Sequence, residues 1–348
     1  MTEAERKRGV ALEAAGGAAL VVSAPENVRW LLCGRGRPVD VGGADYTVVL
    51  RDGEGFVLYP DIERSRVEAE ERLEEFGYET VPYPWYEGGA ATVAGVAGAG
   101  ARADGEVAAA LAPHRRELCE EEAERYRAAG ADAAAAFVEA IASLRPELTE
   151  VEAAAELAGA ARRRDLIARV NLVAGAQRQP VHRHPLPTSA PLGSHALLAF
   201  TVERAGLHVS MTRIVSFGPA PERLADLVRA SAEVDAAVIS ASRPGATHGE
   251  LFDVIADAYD RQGFPEEWRR HHQGGLTGYK GREVFAVPGE QTPLPSLGAV
   301  AWNPSVTGGG KSEDTILVSS AGPEVLTRTP ELPELDAFDP QRPAVVEL

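Results

Sequence analysis

Residues 271–283 read His-His-Gln-Gly-Gly-Leu-Thr-Gly-Tyr-Lys-Gly-Arg-Glu, two adjacent imidazoles followed by a run interrupted by Gly274, Gly275, Gly278 and Gly281. That density of glycine predicts a loop and no regular element. Glycine adopts backbone conformations closed to other residues and lets a chain approach a ligand closely. The side chains between the glycines donate, accept or carry charge, and paired histidines are candidate acid–base groups or metal ligands. A glycine-rich turn with surface histidines would explain the same residues. The flanking sequence therefore decides what the stretch means.

On the C-terminal side, strands are expected at 299–302 and 314–319. On the N-terminal side, helices are expected at 220–242 and 247–262, the second opened by the capping pair Thr247 and Glu250 and closed by Gly263. Strands at 166–174, 195–203 and 206–217 precede them, behind helices at 118–144 and 149–164, where Thr149 and Glu152 form another capping box. Residues 88–105 turn to glycine and alanine with few large side chains, which predicts a linker. Before that linker, a helix at 3–15, a strand at 18–23, a hairpin about Asp52-Gly53, a charged helix from Asp61 to 76 and a strand at 78–81 make a small α/β domain. The expected domains are 1–105 and 106–348.

With 348 residues, 45% apolar and 25% charged, the chain has an ordinary globular composition and room for two domains. Its net charge of -17 argues against nucleic acid as a partner, because phosphate binding needs clustered Lys and Arg. The two cysteines, Cys33 and Cys119, make no disulfide framework. No apolar run is long enough for a signal peptide or a membrane span, so a cytoplasmic setting and no membrane partner are expected. Gly308-Gly309-Gly310-Lys311-Ser312 looks like the end of a phosphate loop, but Ser305 stands where that pattern needs glycine and a strand follows.

The order of elements and the motifs within them resemble the creatinase/prolidase/aminopeptidase P family, across roughly residues 18–328. Pro180, His182 and Pro185 have the spacing of that family's substrate-side histidine segment. Ser210-Met211-Thr212-Arg213 follows its Asp-x-Thr-Arg strand, and 271–283 falls where the family has Gly-His-Gly-x-Gly. Asn303-Pro304 and Glu313-Asp314-Thr315 match its Glu-Pro and Glu-Asp-Thr segments. The resemblance implies α/β architecture, a small N-terminal creatinase-like α/β domain followed by a C-terminal pita-bread α/β domain. It also implies a homodimer.

Family members that bind metal use two Asp, one His and two Glu. Residue by residue, the resemblance carries these ligands onto Ala199, Ser210, Gly275, Asn303 and Glu313, of which Glu313 alone keeps the ligand type. Ala and Gly coordinate nothing by side chain, so no metal and no cofactor are expected. Creatinase is the family's metal-free precedent, with a histidine base at the position of His182. The implied function is metal-independent hydrolysis of a C–N bond in a small amide, amidine or short-peptide substrate. His182 would activate water, His272 or His271 would assist, and Glu313 would hold or protonate the leaving nitrogen. Arg282 or Arg213 would fix a substrate carboxylate, and His184, Tyr279, Asn303 and Lys311 complete the substrate-facing set. His182, His272 and Glu313 are then expected to converge on one cavity. Two other readings are a peptide-binding module that cuts nothing, as in the related domain of a histone chaperone subunit, and a peptidase with one metal held by Glu313 and the histidines.

Overall fold

Apolar alternation near the N-terminus builds a five-stranded sheet. The computed structural model describes residues 1–40 and 45–348, and contacts divide the chain into two compact units, Met1–Glu121 and Glu122–Leu348. The first unit contains α1 (Glu3–Ala14), β1 (Leu20–Val22), α2 (Pro25–Leu31), β2 (Thr47–Arg51), β3 (Glu54–Pro60), α3 (Arg64–Arg66), β4 (Tyr78–Tyr83), α4 (Ala90–Ala97), β5 (Arg102–Ala103) and α5 (Ala108–Arg116). Its sheet order is β4-β3-β2-β1-β5. Asp52 and Gly53 join β2 to β3 with φ of 54° and 85°, the left-handed pair that a two-residue hairpin turn requires.

Two expectations fail in this unit. Residues 88–105 are no linker: Ala97 of α4 packs against Val49 and Leu58, with Val93 and Val96 beside it, and β5 pairs in parallel with β1. Small apolar side chains suffice when a helix lies close on a sheet. The first unit accordingly runs past 105 to Glu121. The charged helix expected to 76 is also broken, with Arg72 left-handed at φ 50°. Glu71 is turned inward, where its carboxylate accepts from the amides of Gly36 at 2.8 Å and Arg37 at 2.9 Å.

The second unit is carried by α6 (Glu120–Ser143), α7 (Glu150–Arg162), β6 (Ile167–Gly175), β7 (His195–Arg204), β8 (Leu207–Ser216), α8 (Glu222–Ala241) and α9 (His248–Arg261). There follow β9 (Gly274–Thr277), β10 (Val284–Phe285), β11 (Gly298–Trp302), β12 (Ser305–Val306), β13 (Gly310–Lys311), β14 (Asp314–Ser319) and β15 (Gly322–Val325). β16 (Glu334–Leu335), β17 (Arg342–Pro343) and β18 (Val346–Glu347) end the chain. The capping boxes form as read. Thr149 and Thr247 each accept from the amide three residues on at 3.2 Å, and Glu152 and Glu250 accept from the cap amides at 2.8 Å.

Two antiparallel-rich sheets, β10-β9-β11-β14-β15 and β18-β8-β7-β6, form the body of this unit. Helices α8 and α9 cover the first through a core centred on Trp302, Val234, Ile255 and Tyr259. The indole nitrogen of Trp302 donates to Ser242 Oγ at 3.0 Å, so the largest core side chain carries no unmet polar group. Phe137 of α6 meets Phe200 of β7 edge to face at 4.7 Å. A buried ionic cluster joins β8 of one sheet to β14 of the other, in which Arg342 pairs with both Asp235 and Asp314 while Arg213 pairs with Asp314.

The loop expected at 271–283 contains a strand. β9 lies between β10 and β11, with Gly275 opposite both Phe285 and Ala301. A Cβ on Gly274 would stand 2.1 Å from Ala301 O, and one on Gly275 would stand 2.1 Å from Val284 O. The glycines serve close approach of neighbouring strands at φ of 99° and 143°.

Candidate functional site

The pairing of β7 with β8 sets Ala199 opposite Thr212, Thr201 opposite Ser210 and Glu203 opposite His208. Because side chains alternate across a strand, these residues share one face. The hydroxyls of Thr201 and Ser210 are hydrogen-bonded at 2.8 Å. Glu313, immediately before β14, joins that face from the other sheet. The amide of Thr212 donates to Glu313 O at 3.1 Å, and its Oγ1 donates to Glu313 Oε2 at 2.6 Å.

In front of Glu313 opens a cavity of about 340 Å³, walled by His184, His272, Arg282, Asn303, Lys311 and Glu313, with Ala199 and Thr201 also lining it. Arg282 Nη2 stands 3.5 Å from one carboxylate oxygen of Glu313, and Lys311 Nζ stands 3.7 Å from the other. A buried lysine and a largely buried arginine thus face a single carboxylate. Burial pushes the Arg282 and Lys311 pKa values down, with Glu313 opposing the shift in each case. Net positive charge in a poorly solvated wall favours an anionic ligand group.

The imidazoles sense the same charge. Burial, aided by Arg282 and Lys311, pushes His272 down to about 3. His184 is lowered by burial and by Lys311, and His271 is driven far below the usual range by burial and the surrounding cations. All three rings are held neutral near pH 7, so their lone pairs are available. His271 and His184 approach through their Nε2 atoms at 3.0 Å, His272 stacks on His271 at 4.5 Å, and the edge of Phe285 meets His272 at 5.2 Å.

The structure brings some of the expected site residues together and sets others apart. His272 and Glu313 share the cavity with Arg282, Asn303 and Lys311, but the histidine from the 182–184 segment that lines it is His184. His182 is exposed and lines an adjoining cavity of about 250 Å³, which meets the first at Lys311. The chain turns between them, so neighbours two apart face different spaces. Arg213 does not reach the cavity. It is fully buried, with Nη2 donating to Asp314 Oδ1 at 3.0 Å and Thr327 O at 2.7 Å. Tyr279 is likewise buried, its hydroxyl donating to Glu122 Oε1 at 2.7 Å. His271 supports His184 from behind and is not part of the lining.

The residue-by-residue reading missed His208 and Arg169, which also line the cavity. His208 was legible in principle, since it continues backwards the two-residue alternation of Thr212 and Ser210 along β8. Its Nδ1 lies 3.1 Å from Gly278 O, which ties β8 to the glycine-rich segment.

Comparison with known proteins agrees with this architecture. The profile of Metallopeptidase family M24 matches residues 124–320. The agropine synthesis cyclase of Rhizobium rhizogenes is 34% identical over 116 residues, a match spanning 31% of this chain and only 28% of the cyclase. Among solved structures, the X-Pro aminopeptidase of Thermotoga maritima superposes over 100% of both chains with a TM-score of 0.73 at 17% identity. The N-terminal domain of a FACT complex subunit from Cicer arietinum covers 94% of this chain and 95% of its own, with a TM-score of 0.67 at 12% identity. Likenesses at those identities speak for the fold, a smaller α/β domain followed along the chain by a pita-bread domain. The profile match extends over more than half of the sequence, and on that ground the chain belongs to metallopeptidase family M24.

Proposed function

We propose that this M24 protein hydrolyses a C–N bond in a small amide, amidine or short-peptide substrate bearing an anionic group, and does so without the family's two-ion centre. The observation that carries the reading is that His184, His272 and Glu313 share a cavity in which Arg282 and Lys311 supply the positive charge beside the carboxylate. The positions matching the family's ligands do not fit two metal ions. Ala199 has no donor atom, the Ser210 hydroxyl is engaged by Thr201, and any side chain at Gly275 would collide with Val284 O.

In this reading a substrate carboxylate lies against Arg282 and Lys311, as charge-assisted hydrogen bonding favours. Its negative charge offsets the repulsion that depresses the histidines and makes them better bases. His272 or His184 then takes a proton from water as the oxygen adds to the carbon. As the C–N bond breaks, Glu313 holds the leaving nitrogen and the imidazolium returns the proton to it. The role first given to His182 passes to His184, because the latter faces the reacting space. The homodimer and cytoplasmic setting belong to the same reading and rest on the family resemblance.

The test is a screen of dipeptides, creatine-like compounds and cyclic amidines with chelator-treated protein. Turnover is expected to persist after chelation and to fall at least a hundredfold in His272→Ala and Glu313→Gln. Turnover lost on chelation and restored by a divalent metal would overturn the reading. A peptide-binding role is the second reading. It is favoured by the full neutralisation of Glu313 by Arg282, Lys311 and Thr212, a geometry suited to gripping an anion. Ligand binding without turnover across the screen would select it.

A further inference from the structure

We propose that His184, His271 and His272 form a binding site for one borderline divalent cation, zinc or nickel being the type, apart from the positions that match the family's ligands. One nitrogen from each of the three rings lies within 4.8 Å of the other two. Imidazole nitrogens bind zinc at about 2.0–2.1 Å, so donors on one tetrahedral ion stand about 3.3 Å apart. The Nε2 atoms of His184 and His271 already stand 3.0 Å apart, and His272, stacked on His271 at 4.5 Å, must turn its ring toward them to complete the set.

The local contacts favour an ion over a mere ring cluster. Without an ion the two facing Nε2 atoms share one proton, and a cation between them would replace that bond with two coordinate bonds. His271 is buried and its Nδ1 has no hydrogen-bond partner among the described residues, so that either of its ring nitrogens is free to turn to an ion. Phe285 packs its edge on His272 and fixes that ring from the outside. His184 and His272 open onto the cavity, which leaves room for water or a ligand atom at the ion. Three neutral nitrogen donors select zinc, nickel, cobalt or copper and offer nothing to magnesium or calcium. Lys311, Arg282 and Arg183 oppose an added cation, while Glu313 and Glu267, paired with those same cations, offset them.

A lone pair bound to an ion cannot take a proton from water. This consequence rests on the hydrolase reading above, and it makes metal occupancy and turnover mutually exclusive. The ion is then an inhibitor of the site, and a chelator raises activity.

The experiment titrates chelator-stripped, dialysed full-length protein with zinc by calorimetry and with cobalt by visible absorption. One equivalent is expected to bind at micromolar or lower concentration, with the intense absorption of a nitrogen-rich cobalt site. His184→Ala and His272→Ala, both on the cavity surface, should each weaken binding at least tenfold with unchanged circular dichroism. His271→Ala should do the same where it folds, and Glu313→Gln should retain the ion. Absence of a stoichiometric zinc site in the wild type overturns the proposal, and so does binding that survives both surface substitutions. In the activity arm, added zinc should suppress turnover and a chelator should restore it. Turnover that instead requires the ion would end the metal-free hydrolase reading while leaving the site itself standing.

Discussion

The hydroxyl of Thr212 donates a 2.6 Å hydrogen bond to Oε2 of Glu313, and the Thr212 amide donates to the Glu313 carbonyl, so one residue of β8 holds both ends of the carboxylate residue on the facing sheet. The two residues are 1% and 6% exposed, which leaves little water to substitute for either bond. Thr212→Val keeps the shape and removes the hydroxyl. Loss of a hydrogen bond to a buried charged group costs about 1.5–3 kcal/mol. The measurable outcome is a lowered urea midpoint together with weaker binding of anionic ligands, since Glu313 is then free to collapse onto Arg282 or Lys311. An unchanged midpoint would show that the bond adds nothing.

Restoring the family's ligand type at Gly275 should fail on packing grounds. A Cβ there would lie 2.1 Å from Val284 O, a separation real atoms do not reach, so β9 and β10 must separate. Gly275→Ala is expected to destabilise by about 2 kcal/mol or more, from overpacking and from the positive φ. Gly275→His should gain no metal equivalent, and no stabilisation by zinc, beyond what the wild type shows. Equilibrium urea unfolding of both variants, with and without zinc, decides it.

Acid stability should depend on Glu150. Its side chain is buried and would be raised by burial alone, but bonds from Thr188 Oγ1 at 2.7 Å, from the amides of Gly175 and Thr188 at 2.9 Å and from Arg178 hold its pKa below 4.5. A depressed carboxyl contributes stability that is present above its unfolded value and is lost as pH falls through the folded one. Glu150→Gln should therefore cost about 1–3 kcal/mol at pH 7. The gap to wild type should narrow progressively below pH 4.5. A gap that stays constant down to pH 3 would contradict the assignment.

Arg342 should matter more than its place near the C-terminus suggests. It donates to Asp235 Oδ2 through Nε at 3.0 Å and Nη2 at 2.6 Å, and it also pairs with Asp314. Burial pushes Asp235 up to about 6 even with Arg342 beside it. Ser312 donates to Asp235 at 2.6 Å, so both neighbours of Glu313 are anchored to this cluster. Arg342→Met would leave the buried Asp235 carboxylate without its cation, while Asp314 keeps Arg213, at about 3–5 kcal/mol. Thermal unfolding should show a large fall, and a shift of only a degree or two would refute the cluster's importance.

Light scattering at micromolar concentration is expected to report a dimer, as the family resemblance implies. A monomer under those conditions would remove that part of the reading.

Much of the second unit was legible from sequence. The capping boxes at Thr149 and Thr247 and the alternation along β7 and β8 involve residues at most four apart, and local hydrogen bonds with two-residue periodicity are enough to specify them. The motif order around Ser210, Asn303 and Glu313 was legible too, and it led to the family. What only tertiary structure decided lies in long-range packing. Gly274 and Gly275 look like loop residues until β10 and β11 close on either side and leave no space for a Cβ. Arg213 reads as a cavity cation, yet Asp314 and Thr327, more than a hundred residues away, draw it inward. Which of His182 and His184 faces Glu313 depends on a turn whose direction is fixed by distant contacts, chiefly Arg183 with Ser305 and Glu267. Roughly 30 Å of extended chain separates Gly275 from Val284 and more than about 300 Å separates Arg213 from Asp314, and folding alone brings their volumes and charges into competition.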